Sequence, residues 1–383
     1  MGLTPWLVVA GDFSPLGGMD MANYALARYL AGQGEVHLVT HRVWPDLDER
    51  PCVTVHRVPR PFGSHALGGL LLSRAGARVW RALQTRGGVH AVVNGGNCDV
   101  GAVNWVHYVH ASYVPETAGS VARRVKTTLV HRRELANERR AVGRARVVVC
   151  NSRRTRDEVI ARLGVEPSRA HVVYYGTDAA RFSLVHADER ERAKRALGCA
   201  AERPLVGFVG ALGDRRKAFD TVFAAWTELC RQSDWDADLI VAGAGAERLQ
   251  WQQRAREAGL DRRMRFLGFR TDIPAVFAAL DALVHPARYE AYGLSVQEAI
   301  CRGVPAFVSA SAGVAEQYPE ELRDLLIADP NNGAELAARL RGWRCRVDDW
   351  RSRVAPLSTA LRARTWDAMA ADIAVLAAGA GAA

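Results

Sequence analysis

Two glutamates, Glu290 and Glu298, stand eight positions apart in "RYEAYGLSVQEA", with a Gly-Leu-Ser turn between them. The apolar run "ALDALVHPA" before them reads as a buried strand, and "LSVQEAICRG" reads as the helix that follows. In open parallel sheets, ligands bind beyond the C-terminal ends of the strands. The backbone amides around Tyr292, Gly293, Leu294 and Ser295 would then form a helix N-terminus, where partial positive charge favours a phosphate. Carboxylates accept hydrogen bonds and suit sugar hydroxyls. Glu290 and Glu298 on either side of a phosphate therefore predict a sugar nucleotide lying across the turn. A loop glutamate followed by a solvated helix glutamate fits the same spacing, which leaves both readings open.

The elements that must position these residues alternate along the chain. "PWLVVAGDF" is a strand that runs into the turn "SPLGG", and "MDMANYALARYLAGQG" is an amphipathic helix stopped by Gly32 and Gly34. "EVHLVTH", "AVVNGG", "VNWVHYVH", "ARVVVCNS" and "AHVVYYGTD" continue the first series, with a helical region before the fourth. A second series starts at "PLVGFVGAL" and continues through "DLIVAGAG", "RMRFLGF", "ALVHPA" and "PAFVSA". Short apolar strands alternating with helices predict an α/β chain with parallel sheets covered on both faces. At 383 residues the chain suits two such doubly wound domains facing each other across a cleft. The boundary is placed at 185/186, giving domains 1–185 and 186–383, with the charged stretch "FSLVHADERERAKRALGCAAERP" as linker. The last helix is free to pack back on the N-terminal domain, and the tail "AVLAAGAGAA" is expected to fray.

The longest motif carries a resemblance. "HPARYEAYGLSVQEAICRGVPAFVSASAGVAE" resembles the donor-site signature of the family 4 retaining glycosyltransferases, which have the GT-B fold of two Rossmann-like domains. Pro286, Glu290, Gly293, Leu294, Glu298, Gly303, Pro305, Gly313 and Glu316 match it, while Ala287 and Ala291 replace the family's frequent Ser and Gly. "VGALGDRRKAFD" is similar to the family's phosphate-contacting loop: Lys217 matches its Lys, and Arg216 stands ready as a second cation where Ala211 replaces the usual Arg. Lysine is rare here, with Lys126, Lys194 and Lys217 the only three in the chain, so an ammonium at 217 stands out as a compact charge for a phosphate.

The resemblance implies further roles. "FLGFRTDI" looks like the base-binding turn, with Gly268 to Asp272 beside the nucleobase. "GDFSPLGGMD" resembles the glycine-rich loop, where Gly17 and Gly18 would let backbone approach the diphosphate or acceptor. "HYVHASY" offers His107 and His110, and the resemblance favours His110 as the contact to sugar or acceptor. Ser152, Gly176, Asp178 and Phe182 match the end of the acceptor domain, and capping and turn formation account for them equally well. The implied activity is transfer of a sugar from a nucleotide-diphosphate sugar to an acceptor hydroxyl with retained configuration. Lys217, Arg216, Glu290 and His110 form the expected catalytic set. Gly17, Gly18, Gly268, Asp272, Tyr292, Gly293, Leu294, Ser295 and Glu298 form the expected donor contacts. No cofactor or metal is expected, since no Cys/His/Asp cluster joins His107 and His110. A GT-B epimerase or phosphorylase, or a non-catalytic sugar-nucleotide-binding homologue, would carry much of the same pattern.

Charge and composition bound the partners. Residues 1–185 hold 24 Lys/Arg against 14 Asp/Glu, a net of +10, while residues 186–383 hold 27 of each. Residues 122–146 are the densest part, with nine basic and two acidic side chains, among them Arg123, Arg124, Lys126, Arg132 and Arg133. That asymmetry points to an anionic or lipid-linked acceptor, or to peripheral contact with a membrane face. No interleaved aromatics or modules suggest nucleic acid. "VAGAGAER" lacks the third glycine of a dinucleotide fingerprint, and "DWDADL" precedes a strand instead of ending one. Seven scattered cysteines without a C-x-x-C pair read as reduced thiols of a cytoplasmic protein, and no run of apolar residues is long enough to span a bilayer.

Overall fold

The structure, a computed structural model, describes residues 4–116, 121–213 and 215–381. The side chain of Arg123, part of the basic stretch, lies outside the described residues. In chain order the strands among these residues are β1 (Trp6–Val9), β2 (Asp12–Phe13), β3 (Val36–Thr40), β4 (Arg42–Val43), β5 (Val53–Arg57), β6 (His90–Asn94), β7 (Val103–Val106), β8 (Val147–Cys150) and β9 (Ala170–Val172). There follow β10 (Leu205–Val209), β11 (Asp238–Ala242), β12 (Met264–Gly268), β13 (Ala282–His285), β14 (Ala306–Ser309) and β15 (Leu326–Ile327). β5, β3, β1, β6, β7, β8 and β9 lie side by side in one parallel sheet, and β12, β11, β10, β13, β14 and β15 in another. Strands such as WLVV, VNWV and ALVH are buried at every position, as sheets covered on both faces require.

Each sheet starts in its middle, grows to one side and then crosses to the other. β1 with β6, and β10 with β13, therefore flank a switch point, where loops part above the strand ends and leave room for a ligand. This is the doubly wound α/β order expected from the sequence.

The chain divides into two units, each with its own sheet. One comprises Met1–Val114, Val125–Gly176 and Arg364–Ala383, and the other Pro115–Arg124 and Thr177–Ala363. The break thus falls at Gly176/Thr177, earlier than the 185/186 boundary read from the sequence. The charged stretch read as a linker is built into the second unit instead. Ala187–Ala196 is a helix, and its Lys194 ammonium is buried 2.8 Å from Asp281 while donating to the Arg203 carbonyl at 2.8 Å. Asp281 also holds Arg351 at 2.5 Å. A buried cation stays only where such partners replace its water. The tail does not fray as far as Gly381 either. Trp366–Gly381 is a helix lying on the helix Gly18–Ala31 of the first unit, with Met369, Ala370 and Ile373 fully buried. Its alanines favour helix, and its apolar face has a surface to cover. Among the described residues no helix is long and apolar enough to cross a membrane.

Candidate active site

Val206 stands level with Ala282 and Gly207 with Leu283 across β10 and β13, so the loops leaving these two strands emerge next to each other. The loop after β10 ends in a 3-10 turn, Arg215–Lys217, and enters the helix Phe219–Cys230 through Ala218. Ala218 is fully buried at φ 52°, ψ 42°, a left-handed conformation that costs a non-glycine residue roughly 1–2 kcal/mol. The strain lies directly after Lys217, where the chain reverses into the helix.

Lys217 Nζ donates to Glu290 Oε2, and His285 Nε2 lies 2.8 Å from the same oxygen. The Lys217 and Glu290 side chains are only 13% and 12% exposed, and His285 is fully enclosed. Burial alone would raise the Glu290 carboxyl, but the Lys217 ammonium and the His285 hydrogen bond hold it well below the usual carboxylate range. Burial, helped by Lys217, lowers the His285 pKa. The imidazole is therefore neutral, and its Nε2–H donates to Glu290 while the buried Nδ1 has no hydrogen-bond partner. Arg216 donates to the Tyr289 carbonyl at 3.2 Å, and Arg288 braces the loop by pairing with Asp220 at 2.8 and 2.9 Å. The sequence reading passed over His285, although a histidine ending an otherwise apolar strand was a visible signal.

Gly293 opens the next helix, Leu294–Cys301, at φ 115°, ψ 55°. A Cβ there would sit 2.8 Å from Val314 Cγ1, so both backbone angle and space call for glycine. Leu294 and Ser295 lie half-buried in the first turn. Tyr292 was expected to contribute its backbone to the donor contacts, and its side chain is 2% exposed and turned inward, with its hydroxyl donating to Gln297. Gln297 in turn donates to Thr177 Oγ1 at 2.7 Å. What Tyr292 offers the turn is backbone. Glu298 is half-buried one turn on, and burial, opposed by Arg181, pushes its carboxyl up to about 8. So raised, the carboxyl favours its protonated form near pH 7, which donates as well as accepts.

The remaining second-unit residues expected as donor contacts lie on neighbouring loops. Gly268, at φ 72°, faces open space, and its carbonyl accepts from Gly243 N–H at 2.8 Å. Phe269 beside it is 71% exposed, and Asp272 is held by Arg270 at 2.7 Å on the surface. The glycines of "VAGAG" have a packing role. A Cβ on Gly243 would lie 1.8 Å from the Gly210 carbonyl oxygen, so the loops after β10 and β11 touch backbone to backbone. Asp236 and Asp238 of "DWDADL" pair with Arg344 and Arg263 at the start of β11.

In the first unit, Gly17 takes φ 94° at the head of the helix Gly18–Ala31, and both glycines are exposed. Near them Asp12 is buried between Arg42 at 2.6 Å and Arg60 at 3.6 Å. Burial and the Asp12 charge raise Asp20 to about 6. None of these four charged side chains was singled out from sequence. His110 begins a short 3-10 turn after β7, its ring edge-on to Tyr108 at 4.8 Å. Burial lowers its pKa to about 4. The turn is held by Glu138, which is 1% exposed and accepts from the His110 and Ala111 amides at 2.8 and 3.1 Å. Burial outweighs those amides and raises Glu138 to about 7. His107 instead packs between Trp105 and Tyr175, its Nδ1 2.5 Å from the Tyr175 hydroxyl. Ser152 is a buried helix cap for Thr155 N–H at 3.0 Å, and Asp178 accepts from the Arg181 amide at 3.0 Å. Gly176 is pressed against Thr365, where a Cβ would approach backbone to 2.4 Å, and Phe182 is buried. Among the described residues no three His, Cys, Asp or Glu side chains gather as ligands of one cation.

The chain shares these features with known proteins. The profile of "Glycosyl transferases group 1" matches residues 189–343, and that of "Glycosyltransferase Family 4" matches residues 16–181. A 2-deoxystreptamine N-acetyl-D-glucosaminyltransferase of Streptomyces fradiae is 30% identical over 363 residues, which is 85% of this chain and 81% of that protein. Among solved structures, WaaG, a glycosyltransferase involved in lipopolysaccharide biosynthesis, superposes with a TM-score of 0.75 at 20% identity, covering 98% of this chain and all of that one. Anabaena HepE, solved in complex with UDP-glucose, gives 0.71 at 18% identity, again over 98% of this chain and all of HepE. At such identities the structural likeness speaks for the fold, which is GT-B.

Proposed function

The chain belongs to the group 1 glycosyltransferases of family 4, and from that premise we propose that it moves a sugar from a nucleotide-diphosphate sugar to an acceptor hydroxyl with retained configuration. The observation that carries this reading is the Lys217–Glu290–His285 cluster beside the Gly293 helix start, at the switch point of the second sheet. The diphosphate lies against Lys217, Arg216 and the amides after Gly293, where an anion meets both an ammonium and a helix N-terminus. Glu290, kept ionised, accepts from hydroxyls of the sugar. Glu298 pairs with the ribose, and the backbone around Gly268 lies along the base. HepE, of the same fold, binds UDP-glucose, which supports a nucleotide-sugar donor here.

In the transfer, the bond between the anomeric carbon and the diphosphate oxygen breaks, and its electron pair stays on that oxygen. The acceptor oxygen bonds to the same face of the carbon, and the acceptor proton passes to the departing diphosphate. Groups that meet negative charge better as it develops lower the barrier, which is the role given to Lys217 and Arg216. Glu290 is too weak a base for proton abstraction, because Lys217 and His285 stabilise its ionised form. His110, neutral at pH 7, contacts the sugar or the acceptor. The acceptor is a hydroxyl compound of anionic or lipid-linked character, in keeping with the basic N-terminal half.

The test is a transfer assay with a panel of nucleotide sugars and hydroxyl acceptors in the presence of a chelator. Acceptor-dependent release of nucleoside diphosphate, with an α-linked product from an α-linked donor by proton NMR, supports the proposal. A β-linked product would remove retention, and loss of activity on chelation would remove the metal-free reading.

A further inference from the structure

The first sheet opens its switch point at the C-terminal ends of β1 and β6. At the opposite end, where β6 and β7 begin, it holds a cavity of about 230 Å³. The first rung between these two strands is Val92 with Val103, so His90 stands before the ladder starts and forms part of the cavity wall. Two helices end at the same place. His65–Gln84 brings half-buried Trp80 and exposed Gln84, one turn apart on one face, and Trp366–Gly381 brings Ala380. Arg146, just before β8, also lines the cavity and donates to the Ala380 carbonyl at 2.7 Å. β6 spans His90–Asn94, which puts roughly 13 Å between this cavity and the ligand edge of the sheet.

The walls disfavour three classes of ligand in turn. Among the described residues that line the cavity there is no Asp or Glu, and Arg146 is present, so a cation meets no counter-charge. An anion would meet Arg146, but both helices end here, and the partial negative charge of a helix C-terminus opposes it. An apolar ligand would seal off polar groups without satisfying them. The buried Nδ1 of His90, whose ring is set 4.8 Å from that of Trp6, has no hydrogen-bond partner. What suits these walls is a neutral molecule with several hydroxyls and one flat apolar face. The Trp80 indole answers the flat face, while Gln84, His90 and Arg146 supply donors and acceptors for hydroxyls. A pyranose ring has this make-up, with C–H bonds on one face and hydroxyls around its rim. It fills about 180 Å³, the share of about six water molecules, and so fits the space.

We propose that this cavity is a binding site for a neutral sugar ring, seated with its C–H face on Trp80 and its hydroxyls on Gln84, His90 and Arg146. It lies at the end of the sheet away from the switch point, so it is a saccharide site separate from that of the proposed transfer and does not depend on that reading. A sugar held here touches the starts of β6 and β7 and the last turn of the helix Trp366–Gly381 together, and so ties that helix to the sheet.

The experiment is a ligand-observed NMR titration of the full chain with the methyl glycosides of glucose, galactose and mannose, and with inorganic phosphate. At least one glycoside is expected to bind at millimolar concentration and to raise the melting temperature, because it binds the folded state. Trp80→Leu weakens that binding roughly ten-fold, the loss of one aromatic face. Gln84→Ala, a change at an exposed rim position, weakens it roughly three-fold, the factor for one hydrogen bond, and keeps the melting temperature of the free protein. His110→Ala, at the proposed transfer site, leaves it unchanged. No binding by any of the three glycosides, equal affinity in wild type and both cavity variants, or loss of binding in His110→Ala overturns the proposal. Displacement of the glycoside by inorganic phosphate also overturns it, in favour of an anion site.

Discussion

Glu290 and Glu298 share one loop and helix start, yet they titrate apart because their surroundings differ. At Glu290 the ammonium of Lys217 and the Nε2–H of His285 overcome burial, whereas at Glu298 burial outweighs Arg181. One environment favours an ionised acceptor and the other a protonated acid, which suits the separate roles we propose for them toward a sugar and a ribose. Glu298→Gln copies the neutral acid in shape and checks this. A carboxyl raised from about 4.5 when unfolded to about 8 when folded contributes its full stability below 4.5 and loses it as pH rises toward 8. The melting temperature of Glu298→Gln should therefore match wild type near pH 4 and exceed it increasingly up to about pH 8. A gap independent of pH would refute the assignment. Glu138 allows a second check. It holds the His110 turn by two amides, and an unmade buried hydrogen bond costs about 1–3 kcal/mol. Glu138→Gln, which leaves one amide facing an NH2 group, should lower stability by about that amount. It should also slow transfer in wild type but add little in a His110→Ala background. Additive losses would mean that Glu138 acts apart from His110.

At the level of elements, the site depends on backbone meeting backbone at the ends of β10, β11 and β13. Gly243→Ala would place a methyl carbon 1.8 Å from the Gly210 carbonyl oxygen, which a shift of the loop after β10 or of the loop after β11 must relieve. Such overpacking costs about 1–3 kcal/mol or more, so this variant should unfold earlier and bind nucleotide more weakly, as thermal melts and titration would show. Wild-type affinity in a fully folded Gly243→Ala would contradict the packing account. Much of this level was legible in the sequence. Buried parallel strands announce themselves as apolar runs, and Gly293 stood where a left-handed helix start was needed. What escaped notice was written in contacts. β5 reads VTVHR because it lies at a sheet edge and is only partly buried, so it lacks the apolar signature. Lys194 looked like a linker charge and is a buried anchor, since its partners Asp281 and the Arg203 carbonyl are brought to it only by folding. His285 meets the Glu290 carboxylate in the second unit and Glu138 the His110 and Ala111 amides in the first, and sequence spacing does not reveal such pairings.

For the whole molecule, each half grows its sheet outward from a central first strand and opens one switch point, and the donor site we propose lies in the second half. The basic excess belongs to the first half, and the chain returns to the first unit at Arg364 to cover it with its last helix. In the proposed function donor recognition belongs to the second unit, and Lys217 is the residue on which that proposal turns. The most direct measurement is isothermal titration of UDP, GDP, ADP and TDP into wild type and Lys217→Ala, with a chelator present throughout. At least one of the four should bind wild type. Its affinity should fall at least roughly ten-fold in Lys217→Ala, because a charge-assisted hydrogen bond is lost and the Glu290 carboxylate is left beside the phosphates with only the neutral His285 as partner. Binding by none of the four, or equal affinity in both proteins, would contradict the assignment of this site to a nucleotide-diphosphate sugar.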